Sequence, residues 1–76
     1  MRTATFEQGD VVVNIPGEYL SQQTCSTSEF DRVPAECVDL EALVEANRTN
    51  GVTWYKVGDR LHISVPTKLI KWEGEK

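Results

Sequence analysis

Long apolar runs are missing from this 76-residue chain. The longest is Val11-Val12-Val13, whereas a helix needs ~20 apolar residues to cross a bilayer, so no membrane-spanning helix is expected. Histidine is nearly absent. His62 is the only one, and with Cys25 and Cys37 it makes three residues of the Cys and His types that form structural zinc sites, spread along the chain without ligand spacing. A structural zinc site needs four such ligands close together, and no metal or cofactor is expected. The five glycines (positions 9, 17, 51, 58 and 74) stand apart from one another, as turn residues do, and no glycine-rich loop is present to cradle a phosphate. Basic residues are outnumbered, eight against twelve acids, for a net charge of −4. Proteins grip a polyanion by displacing its counterions with clustered Lys and Arg, so direct nucleic-acid binding is disfavoured. The opening Met1-Arg2-Thr3-Ala4-Thr5 has no apolar stretch of the kind a secretory leader carries. A cytoplasmic chain with reduced thiols is therefore the expectation; pairing of Cys25 with Cys37 is left open.

What is present fits one small domain over residues 1–76. A hydrophobic content of 39% and a charged content of 26% are those of a globular chain. At this length the core is small and folding buries only about 60% of the unfolded surface. Charge is distributed unevenly. Residues 1–45 carry nine acids and two bases, a net −7, and residues 46–76 carry three acids and six bases, a net +3. Such polarity predicts an acidic first part facing a mildly basic ribbon, a layout that steers association with a basic partner.

The local patterns give an order ββ-loop-α-ββ-β, an α+β fold with one helix on an antiparallel sheet. Alternation over residues 2–7 and over Val11–Ile15 reads as a hairpin connected by Gln8-Gly9-Asp10 and ended by Pro16-Gly17. Residues 21–29 are polar apart from Cys25 and read as a mobile surface loop. Asp39 is the expected helix cap, with Glu41 in the first turn and Asn50-Gly51 as the stop; Leu40, Leu43, Val44 and Asn47 share the expected inner face. A start at Pro34, a favoured first helical position, is the alternative. After the helix, Val52–Val57 and Arg60–Val65 flank Gly58-Asp59, which suits a type II′ turn. That register places Trp54 opposite Ile63, Tyr55 opposite His62 and Thr53 opposite Ser64. A short last strand over Leu69–Trp72 follows Pro66.

No catalytic set assembles from these elements. His62 shares its face with Thr53, Tyr55 and Ser64, and no carboxylate is expected on that face to orient it. The contact candidates are the acids of the helix region, Glu36, Asp39, Glu41 and Glu45, together with Tyr55 and Arg60, residue types that anchor interfaces. These features give the leading expectation. It is a non-enzymatic acidic binding protein, of the kind carried by phages or mobile elements, that docks on a larger host protein complex and inhibits it. A nucleic-acid-processing enzyme with a basic channel is the partner such charge fits. The oligomeric state is not legible.

Two stretches resemble a LysM module, and more narrowly the LysM-like tail protein X of contractile-tailed phages. Thr5-Phe6-Glu7-Gln8-Gly9-Asp10 resembles the opening strand and turn, with Val12, Ile15 and Tyr19 where that family has apolar residues of its first helix. Leu40, Leu43 and Asn47 resemble its second helix, and Val57-Gly58-Asp59-Arg60-Leu61-His62-Ile63 its closing strand. The resemblance implies a β-α-α-β order and either glycan binding between the Gly9-Asp10 and Asn47 loops or a structural role in a phage tail. The segment from Met1-Arg2-Thr3 to Val13-Asn14-Ile15-Pro16 is also similar to the AbrB and MazE antitoxins. That similarity implies DNA binding by basic N-terminal strands, of which Arg2 is the only basic residue here.

Overall fold

The computed structural model describes residues 2–74; Met1, Glu75 and Lys76 of the expected 1–76 domain lie outside the described residues. Strand β1 (Arg2–Gln8) turns into β2 (Val11–Pro16) through Gly9-Asp10. The connection is two residues rather than the expected three, and Gly9 takes the left-handed φ of 61° that such a turn requires. Next come β3 (Leu20–Gln23), β4 (Thr27–Pro34), α1 (Leu40–Thr49), β5 (Thr53–Val57), β6 (Arg60–Pro66) and β7 (Lys71–Gly74). Two antiparallel sheets result, with strand orders β2-β1-β7 and β3-β4-β6-β5. The molecule is α+β, with the single helix packed against β5 and β1. No helix among the described residues is long and apolar enough to cross a membrane.

The polar segment 21–29 is not a mobile loop. It supplies most of β3 and the start of β4, joined by a tight turn at Thr24–Ser26. Hydrogen bonding takes the place of apolar burial here. Ser28 is fully buried with its hydroxyl 2.9 Å from that of Thr67 and 3.2 Å from Gln23 Nε2. The Thr24 hydroxyl accepts from the N–H groups of Ser26 and Thr27, closing the turn as serine and threonine side chains do. Cys25 is exposed at that turn and Cys37 is exposed beyond β4; both thiols are free. Downstream, Phe30 and Val33 sit in the core with no accessible surface.

Pro34 does not begin the helix. It caps a 3₁₀ turn over Ala35–Cys37, and α1 starts at Leu40, where Asp39 Oδ1 accepts from the N–H groups of Glu41 (3.0 Å) and Ala42 (3.3 Å). Its buried face is Ala42, Leu43 and Ala46, while Val44 is 48% exposed, so the inner face is rotated from the expected one. Two alanines, Ala42 and Ala46, flank Leu43 on the strip that faces the strands. Asn47 turns its side-chain amide to Val52 O at 2.9 Å, which ties the helix to the start of β5. The segment 11–20, a helix under the LysM resemblance, is β2 followed by a 3₁₀ turn over Gly17–Tyr19.

One device recurs three times. Strands β2, β4 and β6 each end in proline (Pro16, Pro34, Pro66), at φ of −57°, −60° and −55°, and pass straight into a 3₁₀ turn. Proline has no N–H to continue the ladder, and its fixed φ suits a turn entry. After the third such turn β7 begins at Lys71, two residues later than expected, and pairs with β1. At the first, an added Cβ on Gly17 would meet Arg2 O at 2.6 Å and the Trp72 ring at 3.3 Å. Arg2 itself lies 4.5 Å over the Trp72 ring, and Trp72 packs against Phe30 at 6.4 Å.

Gly17→Ala is therefore expected to lower unfolding stability by about 1–3 kcal/mol through overpacking against backbone, read from urea melts. Asp39→Ala is expected to cost about 0.5–2 kcal/mol in the same assay through loss of the cap.

Candidate functional site

The outer face of the four-stranded sheet carries the densest group of chemically active side chains. Along β6, Leu61, Ile63 and Val65 point inward and are buried, which turns Arg60, His62 and Ser64 outward. In β5 the outward set is Thr53, Tyr55 and Val57, by the register Thr53↔Ser64, Tyr55↔His62 and Val57↔Arg60. In β4, Ser28, Phe30 and Val33 point inward, so Glu29 and Asp31 face out.

A bulge shapes this face. Between the pairs Phe30↔Ile63 and Val33↔Leu61, two residues of β4, Asp31 and Arg32, lie opposite the single residue His62. Arg32 adopts φ 60°, the only positive φ of a non-glycine residue described. A left-handed conformation costs an L-residue about 1–2 kcal/mol, and bulges re-aim side chains beside functional sites. Asp31 Oδ1 accepts the Arg32 N–H at 2.9 Å and so holds the distortion in place.

His62 sits half-buried between two carboxylates. Its Nδ1 is 3.4 Å from Asp31 Oδ1 and its Nε2 is 3.6 Å from Glu29 Oε1. Both distances exceed those of a good hydrogen bond and are within the reach of an ion pair when the ring is protonated. The imidazole stacks on Tyr55, with centroids 5.0 Å apart and planes 17° from parallel. The expectation that no carboxylate shares the face of His62 is thus overturned: β3 and β4 are strands that the expected ββ-loop-α-ββ-β order lacks, and β4 brings Glu29 and Asp31 there.

Beside the stack lies a shallow groove of about 380 Å³ lined by Asp31, Arg32, Tyr55, Val57, Arg60, Leu61 and His62. Arg60 spans it, donating from Nη1 to Arg32 O at 3.4 Å, with its Nε 3.8 Å from Asp59 Oδ1. Tyr55 and Val57 project at 57% and 65% exposure. A neighbouring depression of about 510 Å³ shares Asp31, Arg32 and Arg60 and adds Glu18, Tyr19, Leu20 and Ser21. Desolvation there pushes the Tyr19 phenol above its ordinary 10.0, with the adjacent Glu18 adding to the shift.

The six residues expected at the contact divide. Tyr55 and Arg60 meet in the groove. Asp39, Glu41 and Glu45 line a separate depression of about 290 Å³ with Gln8, Gly9, Val11 and Ala42. Two of these acids are committed locally, Asp39 to the helix cap and Glu45 to Arg48 at 2.9 Å. Glu36 is exposed in the 3₁₀ turn and lines neither depression. In the sheets β4, which carries Glu29, Asp31 and Arg32, lies beside β6, which carries Arg60, and β1 lies beside β7. Among the described residues no cluster of three His, Cys, Asp or Glu is placed to hold a metal ion. Comparison of the chain with protein-family models, with curated proteins and with solved structures finds no match.

Arg32→Gly is expected to raise stability by about 0.5–1 kcal/mol in urea melts, since glycine enters the left-handed region without strain and the strain relieved exceeds its entropic cost.

Proposed function

We propose that this chain is a non-enzymatic binding protein whose contact surface is the outer face of β4, β6 and β5. It docks there on a larger protein of the host cell and modulates it, as an accessory of a phage or mobile element would act on a nucleic-acid-processing enzyme. The observation that carries the reading is the adjacent exposure of Tyr55 and Val57 on one strand face, beside a groove crossed by Arg60. Tyrosine and arginine anchor interfaces because each contributes a large contact area with a polar handle.

The surroundings of His62 support binding over catalysis. A general base needs one ring nitrogen facing a nucleophile and the other facing an orienting group. Here both nitrogens face carboxylates, and the ring face is covered by Tyr55. His62 then acts as a brace between β4 and β6 and as a platform for Tyr55.

A photo-crosslinking residue at Val57 is expected to yield discrete protein adducts in cells that naturally produce the chain. The same residue at Val44, which is also exposed but lies on the helix, is expected to yield none, and Tyr55→Ala is expected to suppress the Val57 adducts. Equal adducts from the two positions, or none from Val57, would refute the assignment of the face.

A further inference from the structure

We infer that β5 is an open docking edge, to which an extended segment of the partner, apolar and acidic in alternation, adds as a fifth strand of the sheet. This rests on the protein-binding reading above and specifies how the partner is held.

β5 is the last strand in the order β3-β4-β6-β5. Its two-residue turn makes Val57↔Arg60 the closing hydrogen-bonded pair, with Gly58 at φ 63°. Pairs in an antiparallel ladder alternate between bonded and non-bonded. Tyr55 and Thr53 therefore direct their backbone groups toward β6, and Trp54 and Lys56 direct theirs away from it. Among the described residues, no turn, cap or side-chain hydrogen bond reaches the N–H or C=O of Trp54 or Lys56. Hydrogen bonds from the helix reach only the residue before this strand, through Val52 N–H to Ala46 O and Asn47 to Val52 O. The other edges are less receptive: β2 ends in Pro16, β3 carries an irregularity between Leu20 and Gln22, and β7 is four residues long. Prolines, bulges and short lengths are the means by which sheets protect their edges.

The side chains define what fits. An incoming antiparallel strand places alternate residues over Val57 and Tyr55, where apolar groups extend the exposed patch, and the residue between them beside Lys56. Lys56 forms no ion pair among the described residues, and neither does the Arg32 guanidinium at the groove. An acidic residue at the middle position satisfies Lys56. A second copy of this chain is a poorer occupant: pairing β5 with itself about Tyr55 brings two Lys56 ammoniums onto one face with no acid between them.

The test uses the full chain, labelled with ¹³C and ¹⁵N, and a capped peptide with a central Leu-Glu-Leu in a serine-rich flank. In the free protein the amides of Trp54 and Lys56 are expected to exchange fast while that of Tyr55 is protected; the peptide is expected to slow both by at least about tenfold. Methylating the glutamate's backbone nitrogen, or introducing Lys56→Glu, is expected to weaken binding by about tenfold each. Equal affinity for the N-methylated peptide, with shifts confined to Tyr55 and Val57 side chains, overturns strand addition and leaves the binding face standing. No binding of the parent peptide overturns the inference too, while the Val57 crosslinks judge the function separately. Protection of Trp54 and Lys56 that rises with protein concentration alone assigns the edge to a second copy and overturns the proposal.

Discussion

Six residue pairs join β4 to β6, from Thr27↔Pro66 to Pro34↔Arg60, interrupted by one bulge. This ladder fixes where nearly everything else sits. It places the inner residues Ser28, Phe30 and Val33 against Leu61, Ile63 and Val65, all essentially without accessible surface. The same alternation forces Glu29 and Asp31 onto the opposite face with His62, because a strand's side chains have a period of two. Were β4 shifted by one residue, its core set would face solvent and its acids the interior. Burial of Phe30 and Val33 therefore specifies the register of the polar face as firmly as any contact on that face.

The bulge at Asp31-Arg32 lies within that ladder, and its strain is confined to one residue. Phe30 and Val33 are three positions apart and would fall on opposite faces of a regular strand. The extra residue returns both to the core. Arg32 carries the conformational cost, with Asp31 holding its N–H. The distortion is thus required by packing and has a consequence for the surface: it aims the Asp31 carboxylate at His62 and leaves Arg32 and Arg60 at the mouth of the groove. Core and site are coupled through a single backbone irregularity.

Much of this was legible in the chain. The Gly58-Asp59 turn set the β5–β6 register, and with it the pairing of Tyr55 with His62, because a two-residue loop leaves no freedom in register. Asp39, by its cap chemistry, was one of two helix starts the chain offered, with Pro34 the other, and the cap is the one the fold uses. The segment 21–29 was not legible, since a serine buried by hydrogen bonds to Thr67 and Gln23 carries no hydrophobic signal. Periodicity also failed across Phe30 and Val33, where a bulge converts a spacing of two into three. The missing strand concealed Glu29 and Asp31, and hence the true surroundings of His62.

Five large apolar side chains among the described residues remain exposed, Val11, Val12, Val44, Tyr55 and Val57, and isolated exposed apolar residues are ordinary on any protein surface. Their arrangement separates them. Val11 and Val12 are consecutive in a strand and so point to opposite faces, and Val44 stands on the helix. Tyr55 and Val57 are two apart and share one face, with Tyr55 supported from beneath by the stacked imidazole and its ladder to β6 pinned by a tight turn. A side chain held in place before a partner covers it costs less entropy to order on binding. Tyr55 and Val57 are thus the pair among these exposed residues that shares one strand face and adjoins the groove.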